Sequence, residues 1–127
     1  MQSTANILVV EDDPTIGRLL SEIFSIAGAE ARVAPTADAA AAHISEARPA
    51  LMTLDLNLPG TSGQELLERV RVRPETRGIP VIVITSQLPV SRQVAALAEA
   101  VVEKPFDLGE LLDAVRRVAP EAISLAA

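Results

Sequence analysis

The chain has 127 residues, a formal net charge of -6 and a pI near 4.7; 49% of it is apolar, yet it holds two Phe and no Trp or Tyr. That length suits one domain with one core, which must be built from Ala, Val, Leu and Ile. The acidic balance argues against a binder of phosphate backbones, and the missing aromatics argue against flavin sandwiches and stacking platforms for single-stranded nucleic acid. With no Cys there are no disulfides, thiolate metal sites or cysteine nucleophile. The opening MQSTANILVVEDD lacks the basic start and long apolar stretch of a signal peptide. No apolar run approaches the roughly 20 residues of a membrane span. A cytoplasmic protein without membrane contact is the expectation.

In chain order, NILVV (6–10) is a continuous apolar run of the kind buried on both faces of a parallel sheet. It stops at Glu11, Asp12 and Asp13. Asp13 before Pro14 reads as a helix N-cap with Pro at the first helical position, rather than as part of an acidic pair. Ile16, Leu19, Leu20, Ile23, Phe24 and Ala27 then recur at helical steps, and Gly28 is the natural stop. AEARV (29–33) alternates small apolar and charged residues, as suits a half-exposed strand at a sheet edge. An Ala-rich helix capped by Thr36 covers 36–47, and ALMTLD (50–55) is a second buried strand ending in an acid.

Ser62 with Glu65 makes a capping box for a helix through about Arg73. IPVIVIT (79–85) is the strongest strand signal, and residues 90 to 98 predict a short helix. AVVE is a fifth strand. Asp107 and Glu110 start a last helix whose buried stripe is Leu108, Leu111, Leu112, Val115 and Val118. Five strands alternating with five helices predict an α/β domain with a parallel sheet covered on both faces. Right-handed crossovers favour a flavodoxin-like, doubly wound (βα)5 fold of order 2-1-3-4-5. The expected core runs over about 6–119, with a short tail at 120–127 and no output domain.

The strand ends carry Glu11 and Asp12, then Asp55, Thr85 and Lys104, on the edge where open parallel sheets bind ligands. Three carboxylates a few ångströms apart repel unless a cation intervenes, and Lys104 supplies one positive charge. A hard divalent cation such as Mg²⁺ would complete the balance, and no His joins the cluster to favour zinc or iron. Such a set suits phosphoryl transfer, with Asp55 as nucleophile and the cations neutralising the arriving oxygens.

The segments ILVVEDDP (7–14), LDLNLPGTSG (54–63), VIVITS (81–86) and VEKPF (102–106) occur in order at strand ends, and with them the chain resembles the receiver domain of bacterial two-component response regulators. The resemblance implies that Asp55 is the phosphoacceptor, Asp12 a direct Mg²⁺ ligand and Glu11 a ligand through water. It implies that the backbone carbonyl of Asn57 binds the metal, that Thr85 is the switch hydroxyl and that Lys104 meets the phosphoryl group. Lys104–Pro105 is then expected to be cis, and Asn57 and Gln87 fall at positions that tune dephosphorylation. The implied partners are a sensor histidine kinase or histidine phosphotransfer protein and a downstream protein target, with no direct nucleic-acid contact. The protein would be a phosphoacceptor that promotes its own phosphorylation and dephosphorylation, not an enzyme acting on other substrates.

Two departures bear on output. Val101 stands where the family usually has an aromatic switch residue. The interval from Thr85 to Lys104 is roughly one helical turn short, and Leu97, Ala98, Glu99 and Ala100 occupy the place of a usual Gly. A short or irregular fourth helix and a reshaped output face follow. A phosphate-independent interaction module is the alternative. An aspartate-nucleophile phosphatase is weaker, because Asn57 stands where such enzymes carry a second acid. His43 and the group Arg69, Arg71, Arg73 and Arg77 read as solvated helix faces.

Overall fold

In the computed structural model, which describes residues 5–124, β1 (Asn6–Val10), β2 (Glu30–Ala34), β3 (Leu51–Leu54), β4 (Val81–Thr85) and β5 (Ala100–Glu103) form one parallel sheet. Its order is β2-β1-β3-β4-β5, the flavodoxin-like arrangement the pattern predicts. Alternation along each strand divides the core in two. Leu8, Val10, Met52, Leu54, Val81 and Val83 face a layer made by α2 (Ala37–Glu46), α3 (Gly63–Val72) and α4 (Arg92–Leu97). Ile7, Val9, Leu51, Ile82 and Ile84 face α1 (Pro14–Ile26) and α5 (Leu108–Val118). β2 is an outer strand and partly exposed, as its charges suggest.

Local chemistry fixes the helix starts. Asp13 Oδ1 accepts from the amides of Thr15 (2.9 Å) and Ile16 (3.3 Å), with Pro14 at the first helical position. Ser62, Ser91 and Asp107 cap α3, α4 and α5 in the same way. Two residues assigned to buried stripes lie at the surface instead: Leu19 is 47% exposed and Leu108 51%. Leu20 already points into the core, and its neighbour Leu19 is turned about a quarter of the way round the helix toward the rim. Leu108 opens the first turn of α5, directly after the Asp107 cap.

The fourth helix is short, six residues, with Val94 as its one fully buried side chain. What holds it is a correction to the reading of the basic group. Arg71 is no solvated charge: its side chain is 13% exposed. Nε donates to Leu97 O (2.9 Å), Nη1 to Arg77 O (2.8 Å) and Ile79 O (2.7 Å), and Nη2 to Glu99 Oε1 (2.7 Å). Arg69, Arg73 and Arg77 remain exposed. His43 is half-buried in α2, and its Nδ1 is buried without a hydrogen-bond partner.

The core also runs past 119. A 3-10 turn at Pro120–Ala122 buries Ala122 completely, and Ser124 N donates to Ala27 O (2.8 Å). That contact sits on Gly28, whose φ of +92° favours glycine and where a Cβ would lie 2.0 Å from Ser124 Oγ. Residues 125–127 of the expected tail lie outside the described residues.

Candidate functional site

The ladder extends one residue beyond three strands and thereby aims the site residues. Glu11 N donates to Ala34 O (3.0 Å), Asp55 N to Val10 O (3.0 Å) and Lys104 N to Thr85 O (2.9 Å). Glu11 and Asp55 are buried and Asp12 is exposed, yet one carboxylate oxygen from each lies within 4.8 Å of the others. Lys104 Nζ bridges two of them, at 2.6 Å from Glu11 Oε1 and 3.1 Å from Asp55 Oδ2. Backbone amides take the other oxygens: Asp13 N donates to Glu11 Oε2 and Asn57 N to Asp55 Oδ1, both at 3.1 Å.

Burial is the largest influence on Glu11 and raises its pKa, against the hydrogen bond from Lys104. Burial by itself would lower the Lys104 pKa. The bonds to Glu11 and Asp55 outweigh it and carry the pKa up, so the ammonium is retained. The crevice holds one ammonium for three carboxylates, and its ligand atoms are all oxygen. That donor set and the uncompensated negative charge fit a hard divalent cation such as Mg²⁺.

Asn57, Lys104 and Pro105 line this crevice with the three acids. Thr85 does not: it is fully buried, and its hydroxyl accepts from Gln87 N (3.0 Å), closing a turn. Ser86 lines the crevice in its place. Val101 pairs with Val83 at the margin of the sheet and is 36% exposed. The Lys104–Pro105 bond is cis, as the resemblance implies; Leu88–Pro89 is cis as well and was not foreseen. His43 stands on α2 and does not line the crevice.

Gly63 is a positioning residue that the pattern did not single out. A Cβ there would lie 2.3 Å from Asp55 O and 2.7 Å from Leu56 Cα, so only hydrogen lets α3 begin against the backbone of the site. The available signal was a poor helix former directly after the Ser62 cap.

An open doubly wound sheet with an acidic, lysine-bridged crevice at its carboxyl edge defines an α/β class whose ligands bind at that edge. The chain matches the response regulator receiver domain over residues 7–116 and belongs to that family, the receivers of two-component systems. It is 38% identical over 125 residues to the phosphate regulon transcriptional regulatory protein PhoB of Rhizobium meliloti (strain 1021), covering 93% of this chain and 55% of that protein. It is 34% identical over 119 residues to sporulation initiation phosphotransferase F of Bacillus subtilis (strain 168), covering 90% and 93%. The solved structure of chemotaxis response regulator CheY4 of Vibrio cholerae superposes with a TM-score of 0.84 at 26% identity, covering 91% of this chain and 98% of that one.

The chain thus spans about half the length of the PhoB relatives it matches. Other relatives are named as DNA-binding regulators, so the expectation of no nucleic-acid contact extends no further than these residues. Among the described residues, no helix is long and apolar enough to cross a membrane.

Proposed function

We propose that Asp55 receives a phosphoryl group from the phosphohistidine of a sensor kinase or histidine phosphotransfer protein. The P–N bond breaks, a P–O bond forms to a carboxylate oxygen of Asp55, and the imidazole leaves. The observation that carries this reading is the placement of Lys104 Nζ between Glu11 and Asp55, with a third acid within 4.8 Å. Two anions must meet in this step, and a buried ammonium already in contact with the acceptor lowers that repulsion.

Glu11, Asp12, Asp55 and the Asn57 carbonyl would hold Mg²⁺, which when bound supplies further positive charge to the phosphoryl oxygens. Asp55 is held by the bond from Asn57 N, and a carboxylate needs no general base to act as nucleophile. The product is an aspartyl phosphate that biases a conformational equilibrium toward binding a downstream protein. The domain acts as a phosphoacceptor within one unit covering about 6–122, promoting its own loading and loss of phosphate.

Incubation with a small acyl-phosphate donor and Mg²⁺, followed by intact mass, should show a gain of one HPO₃ that D55N abolishes. Equal uptake by D55N, or none by the wild type, contradicts the assignment. A second reading, phosphate-independent binding of partners, is favoured by the exposed Val101 and the six-residue α4. Partner affinity unchanged between loaded and unloaded protein would select it.

A further inference from the structure

The layer made by α2, α3 and α4 is unevenly filled. α3 packs on α4, whereas a groove of about 550 Å³ separates α3 from α2. The sequence of α2 explains the gap: its first turns are mostly alanine, and Ala41 is too short to reach across to α3. On the α2 side the groove is lined by Ala41, Ile44 and Arg48, the last just past the helix end. On the α3 side Leu66, Arg69, Val70 and Arg73 line it. Both sets step by three and four, so each is one helix face, and the two faces confront each other. Both helices join parallel strands and run in the same direction. Arg48 and Arg73 therefore stand at one end of the groove, with Ala41 and Leu66 at the other.

The charge at the arginine end does not close. Arg48 and Arg73 make no ion pair among the described residues, and Arg69 has one exposed pair with Glu65 at 3.5 Å. Two acids also line the groove. Glu46 is drawn off by Arg32 at 3.5 Å, and Glu75 makes no ion pair among the described residues. Three guanidiniums thus face one uncommitted carboxylate, in a chain whose net charge is -6. The carboxyl-end dipoles of α2 and α3 offset about half a charge each, which still leaves that end positive.

A groove of this volume suits a small molecule, and a guanidinium takes a carboxylate through two parallel hydrogen bonds. We propose that the α2–α3 groove binds a small organic carboxylate with an apolar body. The body lies on Ala41, Ile44, Leu66 and Val70, and the carboxylate is held by Arg48 and Arg73. The groove shares no lining residue with the acidic crevice, so this site is independent of whether Asp55 accepts a phosphoryl group.

Titration of the full chain with octanoate, followed by backbone amide chemical shifts, tests it. Saturable shifts are expected at residues 41–48 and 66–73. The dissociation constant should be about 1 mM, as suits a ligand of about ten non-hydrogen atoms. Acetate, the charge without the body, and octanol, the body without the charge, should each bind at least roughly tenfold more weakly. R48A and R73A should each weaken octanoate roughly fivefold, whereas R77A, outside the groove, should leave it unchanged. A41L fills the groove from an exposed position and should weaken binding more than about tenfold, with the circular dichroism spectrum kept.

Absence of saturable shifts up to about ten times the expected constant would overturn the site. Wild-type affinity in both R48A and R73A, or in A41L, would do the same. So would octanol binding as tightly as octanoate, or octanoate shifts centred on the crevice residues Ile16 and Leu19.

Discussion

Two ion pairs of similar length sit at different corners of the sheet, one buried and one with its carboxylate at the surface, and they differ in what surrounds them. Arg71 meets Glu99 at 2.7 Å, and its guanidinium also serves three carbonyls of its own chain. Lys104 meets Glu11 at 2.6 Å, but there two more acids crowd the same crevice, one of them open to water. The first corner is closed in charge and in hydrogen bonds. The second has more negative charge than the fold can neutralise, which costs stability and favours a bound cation. An ion pair is structural where its balance closes and a candidate site where it does not.

The largest effect should come from D55N, with complete loss of phosphoryl uptake by intact mass while the fold, read by circular dichroism, is kept. G63A should follow, because its Cβ meets backbone rather than a movable side chain. A loss of about 3 kcal/mol in urea unfolding is expected, together with slower uptake at the displaced Asp55. R71A should cost less, about 2 kcal/mol, by leaving the part-buried carbonyls of Leu97 and Ile79 without their donor. Its neighbour R69A removes an exposed 3.5 Å pair with Glu65 and should cost no more than about 0.5 kcal/mol. If the two arginines cost the same, the closed-corner description fails.

Mg²⁺ should raise the unfolding midpoint, by about 1.4 kcal/mol at ten times its dissociation constant. D12N should lose most of that gain, whereas R71K should keep it. A gain rather than a loss is expected at Thr53, fully buried in β3 with a hydroxyl that has no partner. T53V should stabilise the protein by about 1 kcal/mol in the same urea titration.

Strand order, helix starts and the acidic cluster were legible because each rests on local pattern: a buried run, then a polar residue at its end. Arg71 was not, because its partners lie up to 28 residues away and none of them is periodic. A finer reading of helix phase would have separated it from Arg69. Arg71 falls four residues after buried Leu67, whereas Arg69 falls four after exposed Glu65. Thr85 shows the opposite limit. Its place at a strand end was legible, but the direction of a hydroxyl between crevice and loop is set by the amide of Gln87, which no sequence pattern displays.

The bridge at Lys104 has one more consequence, which follows from counting hydrogens. An ammonium carries three, and Glu11 and Asp55 take two of them. The third can meet an arriving anionic oxygen while both carboxylates stay bound. In the proposed transfer Lys104 therefore need not leave either acid first: the contacts that neutralise Glu11 and Asp55 leave one of its hydrogens free for the arriving group.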